Sequence, residues 1–560
     1  MKLTNAEIAN LLLSVAQLLS TQNENPFKIK AYRRAAKTVS NLSESVDELV
    51  RSDADLTAYP GIGKAIGGAI REIVHNGGTL AVLEAQRSAV SPEVAALNEY
   101  PRLDPKRVAR IYKKLGIGSV AELRERLERG EIREQLGDRM DQHVRHALID
   151  AKEILLFDAH PVVVAVREFL LNRCGATKVE AAGDYRRRIE ILHELVFVIL
   201  AEDFDHVSAC LQEYGGRSTI LHKDQSTISV ELPSGVRVRV HNSTQAQWGL
   251  SLLIATGSEE HIRLLEAVGP GLSGLVNGSA KVPTEAAVYR KLGLPLVPAE
   301  LREGTDEVQR AAGGALPELV AAEDIRGELH AHTTASDGSH SIEQMAQAAR
   351  ARGYEYLGIT DHSQSLTIAH GLSEDRLWAQ IRLIDELNAR GDAGLRILKS
   401  AEVDILADGS LDYSDALLDE LDYTVCSIHS KFTLGRTAQT ERILRAMDNR
   451  HFNILGHATG RRLLSRPGYE LDIERIIRHA KSNGCFFEIN SSPQRLDLSA
   501  GDARLAREAG VMIAVNTDAH SVRELEYLSA GIEQARRAGL EKNSVLNCLP
   551  WRKLKRLLKR

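Results

Sequence analysis

The chain has 560 residues, of which 43% are hydrophobic and 26% are charged, and its formal net charge is −5. This composition is ordinary for a globular protein, and the length predicts roughly three to five domains. No run approaches the ~20 consecutive apolar residues of a membrane span, and the amphipathic N-terminus does not resemble a signal peptide. Five scattered cysteines predict neither a disulfide framework nor a zinc ribbon, and they suit a reducing cytoplasm. Because the net charge is slightly negative, nucleic-acid binding requires local basic patches.

The first segment reads as helices with short breaks. Residues 27–39 are basic and helix-prone, and residues 59–74 place a Gly-x-Gly turn between two helical patterns. Such a turn lets backbone N–H groups at a helix N-terminus face a phosphate without obstruction. We therefore expect Gly61, Gly63 and Lys64 to contact a DNA backbone, as in a helix-hairpin-helix. A tight interhelical turn without a ligand is the alternative.

The middle of the chain changes to a mixed α/β pattern. Strand-like runs occupy 194–200, 226–232 and 236–240, and mixed structure continues to about residue 310. Small residues at 311–324 are typical of a linker.

From about residue 325, strand-like runs alternate with amphipathic helices. This alternation predicts a parallel α/β barrel, in which active sites gather at the carboxyl ends of the strands. The seven predicted strands are 326–330, 356–360, 396–402, 423–428, 452–456, 485–490 and 512–517.

Imidazole and carboxylate side chains stand at the ends of these strands. Together they suit Zn²⁺, Mn²⁺ or Fe²⁺, and their number suits two or three ions. Clustered ions activate water and stabilise the oxygens of a phosphoryl displacement, which makes these residues the predicted catalytic and metal-binding set. A single strand-end histidine is more often structural, but six strands that end this way indicate a site. The predicted ligands are His330, His332, Asp337, His362, Glu402, His429, His457, Asp518 and His520.

The spacing of these residues resembles the polymerase-and-histidinol-phosphatase (PHP) family. The resemblance rests on His-x-His at 330–332, Ser-Asp-Gly at 336–338, Thr-Asp-His at 360–362 and Asp-Ala-His at 518–520. Members of that family are metal-dependent phosphoesterases and nucleases, and every ligand position is filled here. Asp361 and His340 are interpreted as groups that orient ligands, or as ordinary loop residues. Basic and polar residues after the strand ends, which hold phosphate or are solvated surface groups, are Lys431, Arg436, Arg461, Arg462, Asn490 and Arg495.

The whole chain resembles a bacterial family X DNA polymerase fused to a C-terminal PHP domain. The motifs are AYRRAA (31–36), PGIG (60–63), GDYRRR (183–188), TGS (256–258) and LPLVPAELREG (294–304). The resemblance implies an all-α helix-hairpin-helix region, an α/β nucleotidyltransferase-like palm with a thumb, and a distorted TIM-like (β/α)7 barrel. The implied domains are 1–88 (helix-hairpin-helix), 89–158 (fingers-like), 159–245 (palm-like), 246–315 (thumb-like) and 316–560 (PHP).

The palm departs from the family pattern at its metal positions. Asp184 replaces a serine that helps to hold the triphosphate, and Glu194 and Val196 replace an Asp-x-Asp pair. The third catalytic aspartate corresponds to Arg239. Two Mg²⁺ ions need carboxylates to offset their mutual repulsion, so this palm is predicted to be inactive as a polymerase. A shifted register would leave it active.

These residues predict a metal-dependent 3′–5′ exonuclease or phosphoesterase that acts on DNA 3′ ends in repair. The polymerase-like part then holds gapped DNA, with Arg186 and Arg187 on phosphates, and it lacks lyase activity because Ala69 occupies the lysine position. The expected cofactors are two or three Mn²⁺ or Zn²⁺ ions and no organic group. We expect a monomer that acts in the cytoplasm without membrane contact. The alternatives are a small-molecule phosphomonoesterase of the histidinol-phosphatase type and a non-catalytic DNA-binding scaffold.

Overall fold

The computed structural model describes residues 2–21, 24–78, 153–277, 281–391 and 393–559, and parts of 110–144. It divides into two compact units, Met1–Leu296 and Val297–Arg560. The boundary falls inside the LPLVPAELREG run, ahead of the predicted end of the thumb at residue 315. In the described part of the chain, no helix combines the length and apolarity that a bilayer span requires.

Four helices form the N-terminal part of the first unit. Their apolar faces share one core that includes Ile8, Leu12, Ile70 and Ile73. Gly63 is the N-cap of the fourth helix, as the Gly-x-Gly turn predicts. The helices are α1 (Asn5–Thr21), α2 (Pro26–Asn41), α3 (Val46–Arg51) and α4 (Lys64–His75).

The predicted fingers-like segment is described only in part. Its described helices are α5 (Val120–Glu128) and α6 (Glu131–Leu136), which contact each other around Leu123 and Ile132. Much of the rest of the predicted segment lies outside the described residues.

The palm-like part is a five-stranded mixed sheet with strand order β2-β4-β7-β6-β5 and a separate two-stranded β1-β3 ribbon. All three strands predicted in this region are present. The strands are β1 (Ile154–Leu155), β2 (Lys178–Ala182), β3 (Ile191–Leu192), β4 (Leu195–Leu200), β5 (Thr219–Lys223), β6 (Thr227–Glu231) and β7 (Arg237–Asn242). The helices are α7 (Leu156–Asn172), α8 (Gly183–Arg187) and α9 (Phe204–Gln212).

A disulfide bond joins Cys174 to Cys210 beside this sheet. The prediction that the cysteines form no disulfide is therefore wrong for this pair. The two residues are 36 positions apart, and the fold alone brings their Cα atoms to 5.5 Å. The other cysteines, Cys426, Cys485 and Cys548, are buried and stand outside this disulfide bond.

Helices follow the mixed sheet in the predicted thumb-like region, where the sequence pattern predicted mixed structure. The first of them packs against the palm strands through Trp248 and Leu252. The helices are α10 (Trp248–Thr256), α11 (Glu259–Glu266), α12 (Gly271–Asn277) and α13 (Glu285–Lys291).

The second unit is a parallel barrel whose strands follow one another around the sheet in chain order. A bridge between Ala331 and Ala519 joins the two edge strands, and all seven predicted strands are confirmed. The strands are buried on both faces, as in sheets that are covered by helices. They are β8 (Gly327–Ala331), β9 (Tyr356–Ile359), β10 (Arg396–Asp404), β11 (Tyr423–Ser427), β12 (Ile454–Leu455), β13 (Phe486–Asn490) and β14 (Ile513–Asn516).

Amphipathic helices cover the barrel, and the last one packs Leu554 and Leu558 against residues near the amino ends of the strands. The opposite, carboxyl end of the barrel carries the predicted ligands. The helices are α14 (Glu307–Ala312), α15 (Ile342–Ala351), α16 (Glu374–Arg390), α17 (Asp415–Leu418), α18 (Arg436–Met447), α19 (Ile473–Asn483), α20 (Ala500–Glu508), α21 (Leu528–Arg537) and α22 (Trp551–Leu558).

Candidate metal centre

All nine predicted ligands gather at the carboxyl end of the barrel. His330 and Glu402 lie within strands β8 and β10, and the others follow strand ends. Three clusters of donor atoms form, in each of which every atom lies within 4.8 Å of the others. The clusters are His332, Asp337, His362 and His520; His330, His332 and Asp518; and His362, Glu402 and His429.

Glu402 is the centre of the cluster. Its side chain is fully buried, and its two carboxylate oxygens face ring nitrogens of five histidines. The shortest contacts join Glu402 Oε2 to His362 Nδ1 at 2.7 Å and Glu402 Oε1 to His457 Nε2 at 3.0 Å. The rings of His429, His330 and His332 lie at 3.4, 3.6 and 3.7 Å. A carboxylate in this position can bridge two ions.

The donor set fits divalent metal ions. Both oxygens of Glu402 and one ring nitrogen each of His330, His332, His362 and His457 are buried without a hydrogen-bond partner. Buried polar atoms of this kind are rare and costly unless something else satisfies them. Metal–nitrogen bonds of about 2.0–2.1 Å place two ligands of one ion ~3–4 Å apart, which matches the observed spacings.

A second carboxylate, that of Asp518, lies close to both His330 and His332. Asp518 Oδ1 is 3.0 Å from His332 Nε2 and 3.5 Å from His330 Nε2. On the outer side, Asp337 Oδ1 lies 3.3 Å from His520 Nε2 and 3.6 Å from His362 Nε2. Asp337 and His520 are each about a third exposed, so this edge of the cluster opens to solvent.

The electrostatics of the centre keep its carboxylates ionised. Burial raises the pKa of Glu402, but the facing imidazoles, foremost His429 and His362, outweigh burial and hold it well below its usual range. Burial lowers the pKa of His362, but Glu402 and Asp337 outweigh burial and raise it to about 10. Burial and the neighbouring rings of His520 and His362 lower the pKa of His332 to about 4. Ionised carboxylates beside a neutral imidazole are the protonation states that metal ligands need.

Three buried carboxylates hold the ligands in place, and the sequence reasoning did not single them out. Glu488 Oε1 lies 2.7 Å from His330 Nδ1, and Asp404 Oδ1 lies 2.5 Å from His429 Nδ1. Glu328 accepts hydrogen bonds from the backbone N–H of His330 and from the Thr517 hydroxyl. Carboxylates that bind the far nitrogen of a ligand histidine fix its tautomer and orientation. A lone acid inside an apolar strand, as in CFFEIN and RGELH, was the available signal.

Asp361 occupies a supporting position beside the ligands. Its carboxylate accepts from the Thr333 backbone N–H at 2.8 Å, from the Thr333 hydroxyl at 2.7 Å and from Gln380 Nε2 at 2.6 Å. It thus holds the loop that leads to Asp337. His340 Nδ1 accepts a hydrogen bond from the Val522 backbone N–H, close to His520 in the chain.

The remaining predicted groups surround the mouth of the cluster. Asn490 donates to Asp518 Oδ2 at 3.0 Å, and Arg495 Nε lies 3.8 Å from the same oxygen. Arg461 donates to the carbonyl oxygens of Arg495 and Leu496, so it fastens that loop. The structure gives no direct ligand contact for Lys431 and Arg436, which are exposed at the start of the segment after His429, nor for exposed Arg462.

The first unit brings the four altered palm positions together at a separate cavity of about 770 Å³. Val196 lies opposite Arg239 in the register of β4 and β7. Arg239 Nη2 forms an ion pair with Glu194 Oε2 at 3.0 Å, and Arg187 pairs with Asp184 at 2.5 Å. A guanidinium ion therefore neutralises the carboxylate that the sequence offered as a metal ligand.

The residues of this unit that were predicted to contact DNA fall into two groups. The two arginines bind other groups of the protein, whereas the hairpin turn presents exposed residues. Arg186 binds both carboxylate oxygens of Glu285, at 2.7 and 2.6 Å, and buried Arg187 donates to the Thr256 carbonyl oxygen. Gly61 has a φ of +88°, while Gly63 and Lys64 are exposed at the start of α4. Buried Ala69 lies in the middle of α4, where the lyase lysine was expected.

A parallel barrel with clustered histidines and carboxylates at its carboxyl end defines a metal-dependent hydrolase of the PHP type. Residues 328–492 match the family described as PHP domain, and residues 3–78 match the helix-hairpin-helix domain. The chain is 32% identical to the DNA polymerase/3′-5′ exonuclease PolX of Bacillus subtilis (strain 168), over 99% of both proteins. The chain therefore belongs to the family X DNA polymerases that carry a C-terminal PHP domain.

Smaller relatives match part of the chain. A "probable phosphatase" of Thermoanaerobacter sp. (strain X514) is 28% identical over 39% of this chain and 89% of its own length. Another, from Acetivibrio thermocellus, is 32% identical over 34% of this chain and 78% of its own length. These relatives agree with a hydrolase chemistry for the metal centre.

Proposed function

We propose that this protein is a metal-dependent 3′–5′ exonuclease or phosphoesterase that acts on DNA 3′ ends during repair. Its polymerase-like unit then binds DNA without extending it. The observation that carries the proposal is the set of buried, unpartnered donor atoms around Glu402. Action as a monomer in the cytoplasm is part of the proposal.

The residues of the centre have distinct tasks in this proposal. When bound, the ions supply an activated water nucleophile and stabilise the entering and leaving oxygens of a phosphodiester. Glu402 would help to hold the ions, while Glu488 and Asp404 fix the rings of His330 and His429. Arg495, whose side chain is 16% exposed beside Asp518, is suitably placed to neutralise a phosphate oxygen. Asp337 and His520 lie at the open edge, through which a strand end can enter.

Loss of polymerisation follows from the charge at the palm. Arg239 brings a positive charge to a predicted metal position, and it already forms an ion pair with Glu194. Val196 has no atom that can bind a metal ion. A cation next to a second cation is repelled strongly at short range, so a pair of Mg²⁺ ions is disfavoured there.

The N-terminal hairpin supports the DNA-holding task. Exposed Gly63 caps α4 with no heavy atom in the way of a Cβ, so a phosphate can approach the helix N-terminus closely. Lys28, Lys30 and Arg33 are exposed on the neighbouring helix α2. These groups would bind the backbone without reading its sequence.

The second candidate is a phosphomonoesterase for small molecules. The probable phosphatases among the relatives favour it, because a metal centre of this composition hydrolyses either kind of ester. The unit of residues 1–296, with its helix-hairpin-helix match, favours DNA instead.

The test uses a 5′-labelled gapped primer–template with Mn²⁺, with and without deoxynucleotides, and a His330→Ala/His332→Ala variant. We expect the wild-type protein to shorten the primer from its 3′ end and the variant to leave it intact. Primer extension by the variant would contradict the inactive palm. An intact primer with wild-type protein, beside hydrolysis of small phosphate esters, would favour the second candidate.

A further inference from the structure

The loop after β9 adjoins the metal centre through two hydrogen bonds. It begins at the ligand His362 and returns to it, because the Leu372 backbone N–H donates to the His362 carbonyl oxygen at 2.8 Å. Ser365 connects the loop to the centre a second time. Its hydroxyl donates to Asp404, the carboxylate that orients the ligand His429.

This loop is held rigidly by hydrogen bonds and by packing. The Ser365 backbone N–H donates to Asp412 at 2.7 Å, and the Tyr413 hydroxyl donates to the Leu372 carbonyl oxygen at 2.7 Å. Arg376 donates to the carbonyl oxygens of His370 and Gly371 at 2.9 and 3.2 Å. A loop with this many fixed points presents its outward side chains in a defined position.

One of those side chains is the solvent-exposed isoleucine Ile368. Ile368 lies in a single helical turn, Thr367–Ala369, and is 89% exposed, whereas its neighbour Ala369 is buried. The other exposed large apolar residues of the same unit, Leu383, Leu505 and Leu557, are only 38–42% exposed. Solitary apolar residues on a surface are ordinary, but this one is almost fully exposed and lies six residues after the candidate ligand His362.

The turns of the loop limit how far Ile368 can lie from the candidate ligand His362. The turns from Ser363 to Leu366 and from Leu366 to Ala369 each close with a hydrogen bond, so the loop is compact. These turns limit the distance from the Cα atom of His362 to that of Ile368 to less than about 20 Å. Residues 363–372 contain no acidic side chain, so nothing in the loop itself repels a polyanion.

We propose that Ile368 packs against a nucleobase at the 3′ end of the bound strand and so favours oligonucleotides over small phosphate esters. The inference rests on the proposed function, because it adds a protein contact to the bases of the same DNA substrate. Apolar side chains contact and separate bases in other nucleic-acid complexes, and the contact removes apolar surface of both partners from water. A small phosphate ester has no base to offer, so Ile368 adds nothing to its binding.

The test compares Ile368→Ala with the wild-type full-length protein in Mn²⁺. The substrates are a 5′-labelled single strand, the same strand with two abasic residues at its 3′ end, and bis(p-nitrophenyl) phosphate. We expect Ile368→Ala to lower kcat/KM on the normal strand about five- to twentyfold, mainly through KM, because the contact is an apolar burial. Relative to the wild type, the loss should vanish on the abasic strand and on the small ester. Ile368→Leu should restore the rate on the normal strand.

Leu383→Ala serves as the matched control, since Leu383 is an exposed apolar residue on α16 of the same unit. It should leave all three rates unchanged. Equal kcat/KM of Ile368→Ala and the wild type on the normal strand would overturn the inference alone. An equal loss on all three substrates would also overturn it, because Ile368 would then support the metal centre. If the wild type hydrolyses the small ester but leaves the normal strand intact, the proposed function falls together with this inference.

Discussion

At the residue scale, Glu402 determines the character of the centre. A buried carboxylate is costly, and it is tolerated here because five imidazole rings surround it. Four of these rings, those of His330, His332, His362 and His457, each keep one buried nitrogen without a hydrogen-bond partner. Protonated imidazole rings so close together repel one another, and the unpartnered atoms lack hydrogen bonds. Bound divalent ions would relieve both costs.

Glu402→Gln should weaken metal binding, because it removes the charge of the central carboxylate while it preserves the shape of the side chain. We expect bound metal to fall by at least one ion per chain and hydrolysis to fall more than about 100-fold, beyond the effect of an outer partner. Elemental analysis of the purified protein and phosphodiesterase assays measure both. Glu355→Gln, at an exposed position, is the control and should keep metal and activity. Full metal content in Glu402→Gln would contradict the role of Glu402 in holding the ions.

Glu488→Gln tests the positioning of His330. The amide keeps an oxygen near His330 Nδ1 but loses the charge that fixes the ring tautomer. We expect metal affinity to fall about 10–100-fold, with recovery of activity at high metal concentration. Titration of activity with Mn²⁺ measures the shift. Activity that stays low at saturating metal would contradict the role of Glu488 in positioning His330.

At the element scale, close packing inside the barrel aligns the ligand-bearing strands. Gly358 in β9 faces Tyr423 in β11, and a Cβ at Gly358 would lie 1.8 Å from the tyrosine hydroxyl oxygen. That hydroxyl donates to the Leu329 carbonyl oxygen in β8 at 2.6 Å. One tyrosine thus connects three strands across the interior, and only glycine leaves room for it.

Gly358→Ala should displace Tyr423 and break its bond to β8. We expect destabilisation of the barrel by about 3 kcal/mol or more, since overpacking and a broken buried hydrogen bond add together. Urea unfolding, followed by fluorescence, measures the change. Gly435→Ala, where a Cβ has open space and φ is not positive, should stay within about 1 kcal/mol of the wild type. Similar unfolding midpoints for both variants would contradict the packing argument.

The palm sheet illustrates a different element-scale principle. Its strands formed where alternating apolar residues predicted them, although the metal ligands of the family are absent. The hydrophobic pattern of β4 and β7 is enough for the sheet, because Leu195, Phe197, Val238 and Val240 fill its core. The fold of this sheet therefore does not depend on carboxylates at the predicted metal positions.

At the scale of the whole molecule, the chain divides into two compact units, and we propose that the first holds DNA and the second holds metal ions. The candidate ligands belong to the second unit, and the helix-hairpin-helix belongs to the first. Ligands of one kind should therefore stabilise one unit and leave the other unaffected.

Removal of metal should lower the melting temperature of the barrel unit only. With free metal at about 100 times its Kd, binding contributes ~2.7 kcal/mol, which corresponds to roughly 5–10 °C for a unit of this size. Scanning calorimetry with a chelator, and then with added Mn²⁺, measures the shift. One transition should move reversibly while the other stays. A shift of both transitions by the same amount would contradict independent units.

DNA binding should survive metal removal but weaken steeply with salt. Substituting alanine for Lys28, Lys30 and Arg33 on α2 should reduce the slope of log K against log salt by about one for each phosphate that is no longer neutralised. Fluorescence anisotropy with a gapped duplex in chelator measures the slope. The control carries the same loss of charge on α22, through Arg552, Lys553 and Arg556. A reduced slope in the control alone would move the DNA-binding surface to the barrel unit.

The sequence by itself predicted the barrel strands and the candidate ligands. Apolar periodicity and strand-end residues are local features, so the seven barrel strands and the nine ligand positions could be read in order along the chain. The altered palm residues could be read in the same way, through their resemblance to family motifs.

Only the tertiary structure decided which groups meet. The clustering around Glu402, the outer carboxylates Glu488 and Asp404, and the Cys174–Cys210 bond all join residues far apart in the chain. The pairing of Arg239 with Glu194 and the bare Ile368 are further examples. Such contacts depend on how strands are ordered and how loops return, and no spacing along a single strand contains that information.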